Sequence, residues 1–377
     1  MAQTALIGAK IHDGIAMHEG KALVHENGVL VGFVGPDLLS DDCIKTHLDG
    51  GVIAPGFVDL QVNGAGGVMF NDDPSVETLE TMSRALASVG TLAFLPTLIT
   101  DTFERSHAAI EAATAAIERG VGGIVGLHLE GPHLSIERKG AHDSALIRPM
   151  TDADLNMICK AAEQLPNLML TIAPENVTLG QVSVLSAAGV IVSLGHTDAS
   201  YDVCSRYMKE GARCTTHLFN AMSQMGNREP GLVGATLDNE IVSAGLIADG
   251  IHVHPASIRT ALQAKQGTGQ VFLVSDAMAT VGSDITKFEL NGRVIHRHNG
   301  RLTLSDGTLA GADLDFPTAL RVMIDDVGVD PARAIAMSTS IPADVLRSSG
   351  HWGRLIEGQA LRANVLDQDY QFQQSLG

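Results

Sequence analysis

The sequence predicts an α/β fold: a (β/α)8 TIM-like barrel with a small β-sandwich domain formed by the N- and C-terminal segments. Three observations carry that prediction. Eight short apolar runs follow one another from residue 56 onward: GFVDLQV, TLAFLPTLI, GIVGLHLE, LMLTIAP, VIVSLGH, ARCTTHL, IVSAGLIAD and QVFLVSD. Amphipathic helical stretches separate most of them, among them SVETLETMSRALASVG, FERSHAAIEAATAAIERG, TDADLNMICKAAEQL, TLGQVSVLSAAG and PASIRTALQAKQG. Continuous apolar strands alternating with such helices imply a parallel sheet covered on its faces, and eight units imply closure into a barrel. The third observation is that short apolar runs broken by turn residues replace this rhythm at both ends of the chain. An open doubly wound sheet is the competing arrangement. No G-x-G-x-x-G follows the first strand, so its dinucleotide-binding form loses support.

In chain order, residues 1–54 (TALIGAKIHDG, GKALVHENGVLVGFVG, THLDGGVIAPG) form the first part of the small β domain. Residues 55–345 form the barrel. Near 285–305 the segment FELNGRVIHRHNGRLTLSDG places Asn291-Gly292 and Asn299-Gly300 between strand-like runs, which predicts a β-hairpin insertion. Two helices follow, DLDFPTALRVMIDDVG and DPARAIAMSTSIPADVL. Residues 346–377, with the strand-like GRLIEGQALRANVLDQDYQF, return to complete the small domain. No low-complexity linker interrupts the chain.

Composition narrows the function classes. A chain of 377 residues, 45% hydrophobic and 18% charged, can bury a large core and fits a soluble globular protein. The formal net charge of −18, with no Lys/Arg run, argues against a nucleic acid or an anionic membrane as partner. An anionic small substrate would need a local cationic or backbone N–H site. Cys43, Cys159, Cys204 and Cys214 are irregularly spaced, without a C-x-x-C pair, and read as reduced thiols. MAQTALIGAKIHDG has no basic stretch followed by an apolar one, so the expected location is the cytoplasm.

In a barrel of this kind chemistry sits on the C-terminal rim. The third apolar run ends in Glu130, the fifth in His196, the sixth in His217 and the eighth in Asp276. Singly, such a His is more often a packing residue and such an acid more often a cap. Together, two imidazoles and a carboxylate on one rim form the ligand set of a catalytic Zn(II) or similar ion with open positions. Asp276, buried beside such an ion, is placed to take a proton from a metal-activated water and to pass it on. His128 lies two residues before Glu130 and so faces the same way, which makes it a competing ligand. His133 sits in the following turn, where a supporting role and plain solvation fit equally.

The motifs APGFVDLQVNGAGGVMF, GLHLEGPH, KGAH, SLGHT, THLFNAM, ADGIHVHP, VSDAM and GTLAG occur in that order across about residues 50–315. As an ordered set they resemble the N-acetylglucosamine-6-phosphate deacetylase family of the amidohydrolase superfamily. The resemblance implies that Glu130, His196 and His217 hold the metal and that Asp276 is the catalytic acid/base. It further implies that His142 orients or polarises the substrate carbonyl, with Ala141 lining the pocket. Asn220 and Ala221 would offer backbone N–H groups to a sugar phosphate. Arg228 would supply a cationic partner, reaching a neighbouring subunit's site in a homodimer. His252 would contact substrate, and Leu309, Ala310 and Gly311 would form part of its binding loop.

One departure is informative. Many amidohydrolases end their first strand with His-x-His and build a two-metal centre, whereas this chain has Gln61-Val62-Asn63. Amides are poor metal ligands, so one divalent ion per subunit is expected, with Zn(II) first and Fe(II), Co(II) or Mn(II) as alternatives. Gln61 and Asn63 are then candidates for contacts with bound water or substrate. The implied activity is hydrolysis of the acetamide of N-acetyl-D-glucosamine 6-phosphate, in amino-sugar catabolism or cell-wall recycling. Two rivals stand beside it: hydrolysis of cyclic amides or other N-acyl amino sugars, and non-catalytic phosphosugar binding on the same fold.

Overall fold

In the computed structural model, which describes residues 3–290, 292–305 and 307–377, the eight apolar runs form one parallel sheet. Its strands are β1 (Phe57–Val62), β2 (Thr91–Ile99), β3 (Leu127–Glu130), β4 (Leu168–Ile172), β5 (Ile191–Leu194), β6 (Cys214–Thr215), β7 (Ser243–Ile247) and β8 (Val271–Val274), paired in sequence order. Every residue of β1, β3, β4, β5, β6 and β8 is buried, as strands require when side chains fill one face and helices cover the other. The barrel closes just beyond β8. Val62 bridges Ala277, the Asp276 N–H donates to the Gln61 carbonyl at 3.0 Å, and the Asn63 N–H donates to the Ala277 carbonyl at 2.8 Å.

The covering helices are α1 (Val76–Ala87), α2 (Phe103–Glu118), α3 (Asp152–Gln164), α4 (Leu179–Ala187), α5 (Tyr201–Glu210), α6 (Gly231–Asp238), α7 (Pro255–Ala264) and α8 (Phe316–Arg321). Ser75, Thr102, Thr151, Thr178 and Ser200 precede the first five. Each accepts the backbone N–H three residues on, which satisfies a donor that the first helical turn leaves orphaned. Thr151 and Thr178 complete reciprocal capping boxes with Asp154 and Gln181. These caps fix where each loop leaves the rim.

Three details differ from the sequence expectation. The runs ending in His196, His217 and Asp276 stop pairing earlier, at Leu194, Thr215 and Val274, because those three rim residues take positive φ angles of 47°, 31° and 50° that a ladder cannot hold. The segment 330–346 is two helices, α9 (Pro331–Ser338) and α10 (Ser340–Val345), broken at Thr339. Pro342 explains the break: it has no N–H, and its ring would clash with the Ser338 carbonyl four residues back in a continuous helix. The insertion is a three-stranded antiparallel sheet, Lys287–Leu290, Arg293–His298 and Arg301–Thr303. Asn291, of the first expected turn dipeptide, lies outside the described residues.

The terminal segments build two further sheets. Thr4–Ile7, Ala22–Glu26, Val29–Val34 and Ile44–His47 form one; Lys10–His12, Met17–His18, Val52–Pro55, Ala363–Leu366 and Phe372–Leu376 form the other. Leu6, Ile11, Leu23, Leu30, Ile53, Leu361 and Val365 pack in one buried cluster of these segments. Among the described residues no helix is long and apolar enough to cross a membrane.

Phe57 opens β1 and is fully buried against Phe316 of α8, with ring centroids 5.3 Å apart. Truncation to Ala deletes that contact in a region that cannot collapse around the void. Phe57→Ala should cost about 3–5 kcal/mol, the usual range for a buried Phe. The midpoint of urea unfolding measures it, and an unshifted midpoint would contradict this account of the barrel floor.

Candidate active site

Three side-chain atoms converge above β3, β5 and β6. Glu130 Oε1 lies 3.1 Å from His196 Nε2 and 3.0 Å from His217 Nε2, and the two imidazole nitrogens are 3.0 Å apart. All three residues are buried. The His196 tautomer follows from its other nitrogen: Nδ1 lies 2.8 Å from the Arg138 carbonyl, which can only accept, so Nδ1 carries the proton and Nε2 presents a lone pair. That lone pair faces a carboxylate oxygen and a second imidazole nitrogen. One proton on His217 Nε2 could serve both neighbours only along bent lines, whereas a divalent cation is accepted by all three at once. Ligands held at ~2.0–2.1 Å in a tetrahedron lie about 3.3 Å apart, close to the spacings here. The cluster therefore fits a divalent metal site.

His142 is adjacent but differently posed. Its ligand atom lies within 4.8 Å of those of Glu130 and His196, and its Nε2 is 4.0 Å from Glu130 Oε2. The Thr100 backbone N–H donates to His142 Nδ1 at 3.3 Å, and the Thr100 hydroxyl lies 2.8 Å from the same nitrogen. Nδ1 is thus an acceptor, and Nε2–H points toward the cluster as a donor. Burial, reinforced by the neighbouring His196, pushes His142 down to about 3, so the ring is neutral at physiological pH.

Asp276 reaches the same space from the β8 side. Asn63 Nδ2 donates to its Oδ1 at 2.7 Å and Gln61 Nε2 donates at 3.2 Å. Gln61 Nε2 also lies 3.2 and 3.3 Å from the two oxygens of Glu130. Burial and the Glu130 charge raise Asp276 to about 6, against the opposing pull of His217 and Asn63. For Glu130 burial alone would act upward, but His196 and His217 override it and hold the carboxyl well below its ordinary range. Two carboxylates in one buried space are thus separated in proton affinity, the pattern of an acid/base beside a permanent anion.

The cleft brings together most of the residues singled out in the sequence. Asn63, Glu130, Ala141, His142, His196, His217, Asn220, Ala221, His252, Asp276, Leu309 and Gly311 all line it. Ala310 lies behind the wall, fully buried, with its N–H on the Leu302 carbonyl. Gln61 is held beneath by its carboxylate partners. The Asn220 N–H already donates to the His217 carbonyl at 2.9 Å, which corrects the expectation of that amide as a free anion donor. Arg228 is exposed on the loop before α6 and does not line this chain's cleft. His128 is no rival to the cluster. It sits in the barrel interior with Nε2 2.8 Å from Thr171 Oγ1 and Nδ1 3.3 Å from Thr97 Oγ1, and burial lowers it to about 4. His133 is held by the Arg148 carbonyl at 3.0 Å, and His254 caps α7 by accepting the Ala256 N–H.

Several contributors escaped the sequence reading. Asp249 Oδ2 binds His252 Nδ1 at 2.6 Å and orients that ring; it follows β7, so the strand-end rule could have found it. Thr100, directly after β2, was open to the same rule. Arg138 acts through its carbonyl, which no side-chain pattern signals. The apolar lining by Ile99, Ile247, Met278 and Leu290 was also missed, because such residues look like ordinary core in a sequence. Of the nine non-glycine residues with positive φ among those described, His196, His217, Phe219, Ala221 and Asp276 belong to this rim. Left-handed backbone costs roughly 1–3 kcal/mol for such residues, so the strain is concentrated at the site.

Below the rim, Asp59 of β1 is fully buried. Its Oδ1 accepts the N–H groups of Gln61 and Ser275, each at 3.2 Å, while Oδ2 has no partner among the described residues. Burial pushes it up to about 7 against those hydrogen bonds, and Asp276 adds to the upward push.

Comparison with known proteins agrees with this geometry. Residues 52–375 match the model of the Amidohydrolase family. The chain is 38% identical over 367 residues to the N-acetylgalactosamine-6-phosphate deacetylase of Shewanella sp. (strain ANA-3), covering 96% of this chain and 91% of that one. It is 35% identical over 349 residues to the N-acetylglucosamine-6-phosphate deacetylase of Haemophilus influenzae, covering 92% and 90%. The solved structure of N-acetylglucosamine-6-phosphate deacetylase from Pasteurella multocida superposes with a TM-score of 0.92 at 33% identity, covering 98% and 97%.

The Asp59 environment has a consequence for stability against pH. Its folded value of about 7 exceeds the ~3.9 of an unfolded Asp, so the native state holds the proton more tightly. The associated stability is complete below about pH 4 and is lost as pH rises through about 7. Asp59→Asn, which mimics the neutral form at every pH, should flatten that decline. Melting temperatures of both proteins from pH 4 to 8 decide it, and parallel curves would remove Asp59 as the titrating group.

Proposed function

The chain belongs to the amidohydrolase family, and we propose that it hydrolyses the acetamide of N-acetyl-D-glucosamine 6-phosphate to D-glucosamine 6-phosphate and acetate. The observation that carries this reading is the meeting of Glu130, His196 and His217 at 3.0–3.1 Å, with Asp276 and His142 around the same point, in one cleft. Relatives with deacetylase activity on acylamino-sugar 6-phosphates supply the substrate class. A second reading has its own support. The Shewanella relative carries the galacto name, so the C4 epimer, N-acetyl-D-galactosamine 6-phosphate, belongs in the same assay.

In this reading Glu130, His196 and His217 hold one divalent ion per subunit, Zn(II) first, with Fe(II), Co(II) and Mn(II) accepted by the same donors. When bound, that ion supplies Lewis acidity and a lowered pKa for an attacking water. Gln61 and Asn63 spend their amide N–H groups on Glu130 and Asp276, which supports a single ion and a fixed acid/base. Asp276 removes a proton from the water as oxygen attacks the acetamide carbon. His142 donates Nε2–H to the carbonyl oxygen, where negative charge develops. Asp276 then returns the proton to nitrogen as the C–N bond breaks, since an unprotonated amine leaves poorly. His252, oriented by Asp249, contacts the sugar, as do the Asn220 side chain, Ala221 and the loop of Leu309, Ala310 and Gly311. No Arg or Lys lines the cleft among the described residues. That supports Arg228 reaching the phosphate in the partner's cleft of a homodimer.

Residues 1–54 and 346–377 constitute one small domain in this proposal, and 55–345 the catalytic barrel with its insertion near 285–305. The sheet that pairs Val52–Pro55 with Ala363–Leu366 supports the division. The four cysteines are free thiols, which supports a cytoplasmic location, and the proposed reaction itself is what suggests a role in amino-sugar catabolism or cell-wall recycling.

Acetate release by chelator-stripped protein, before and after metal is restored, tests the reaction. Both 6-phosphate epimers and unphosphorylated N-acetylglucosamine serve as substrates. Metal-dependent release that favours a phosphorylated sugar is expected; no release with any restored metal overturns the reading. Asp276→Asn should lower kcat by at least ~10³-fold, given proton transfers at both attack and departure, while metal content stays near one per chain. In the parent enzyme kcat/KM should fall as pH drops through a value at or below about 6, because Asp276 must be ionised to accept the proton and a bound cation favours that form.

A further inference from the structure

One side of the cleft is unlike the rest. Ile99, Met278 and Leu290 line it, are at most 5% exposed, and belong to a single buried apolar cluster. Ile99 pairs in register with Glu130, and Met278 stands two residues after Asp276, so this wall flanks the reacting point itself. Leu290 comes from the three-stranded insertion. Behind it lie Ile295 and Leu302 of the same sheet, neither of which lines the cleft.

The insertion spans the cleft between two anchors. On the β8 side Arg297 binds Asp313 at 2.7 Å and the Ser283 carbonyl at 3.0 Å. On the β3 side Arg293 donates to the carbonyl of Ala141, next to His142. The polar groups suited to a sugar, Asn220 and His252, come from other loops. An amide carbonyl set between His142 and Asp276 with its sugar toward Asn220 and His252 has one remaining substituent, the acyl chain. Ile247 and Leu309 also line the cleft, but of its apolar residues Ile99, Met278 and Leu290 are the three that share one buried cluster, and that wall has the chemistry to match it.

We infer that the insertion is the roof of an acyl subsite, and that Ile99, Met278 and Leu290 together limit the substrate's acyl group to about the length of acetyl. The inference rests on the deacetylase reading and deepens it. For a longer acyl group the reaction is the same hydrolysis: water adds to the carbonyl carbon, the C–N bond breaks, the amine keeps a proton and the carboxylate leaves. Selectivity then arises from space alone. A misfitting methylene in an apolar pocket changes kcat/KM by roughly 10–200-fold.

The test measures kcat/KM of the metal-loaded enzyme on N-acetyl, N-propionyl and N-butyryl glucosamine 6-phosphate. The parent enzyme should lose at least tenfold from acetyl to propionyl. Leu290→Ala should reduce the acetyl-to-butyryl ratio at least tenfold. Ile295→Ala, which loosens the insertion without touching the cleft wall, should change all three rates in proportion. Leu290→Ala scaling all three substrates equally would overturn the inference, as would a parent enzyme indifferent to acyl length. Absence of acetate release by the parent enzyme would refute the deacetylase reading instead, so the two failures are distinguishable.

Discussion

The seam between β1 and the end of β8 is the constraint on which the molecule depends. It closes the barrel through the Asp276 N–H on the Gln61 carbonyl and the Asn63 N–H on the Ala277 carbonyl. The same few residues place Asp276 beside the side-chain amides of Gln61 and Asn63, and Gln61 in turn bridges Asp276 to Glu130. Closing the sheet and orienting the Asp276 carboxyl are therefore one event. Asp59 and Ser275 repeat the linkage one layer down, where a carboxyl on β1 accepts the backbone N–H that follows β8. An amide pair at 61 and 63 thus serves as scaffold where imidazoles would have served as ligands.

Strain at the rim has the same origin. His196, His217 and Asp276 must leave their strands and turn inward within one or two residues, and positive φ angles do this over the shortest path. The cost is tolerated because each is fixed from a second direction: the Arg138 carbonyl holds His196, the ladder-like bonds to Gln61 and Ala312 hold Asp276, and the Asn220 N–H holds the His217 carbonyl. Side-chain donors are consequently aimed at one point by the fold itself, which is preorganisation in the electrostatic sense.

Much of this was legible in the sequence, for identifiable reasons. Strands buried over most or all of their length read as mainly apolar runs, so all eight were visible, and a polar residue terminating such a run stands out, as Glu130, His196, His217 and Asp276 do. What escaped acts through the backbone or through apolar surface. The Arg138 carbonyl has no side-chain signature, and Ile99, Met278 and Leu290 cannot be told from core without knowing which void they face. The shortness of β5, β6 and β8 was hidden because backbone angles at histidine and aspartate are dictated by tertiary contacts. The division at Thr339 was readable from Pro342, whose effect on the preceding turn is local chemistry. Arg228 illustrates the opposite limit: its motif was visible, but one chain alone gives it no ligand to face.

The pairing of Val52–Pro55 with Ala363–Leu366 also bears on how the protein is made. Ala54 and Asn364 are register partners, and only Gly56 separates that strand from β1. During synthesis the segment leading into the barrel emerges long before its neighbour. The sheet stays incomplete, with an open edge, until that neighbour has been made. Such a topology has high contact order, and the exposed edge is a place where a nascent chain can pair wrongly. Residues 363–366 thus act as a clasp for which the strand leading into the barrel must wait.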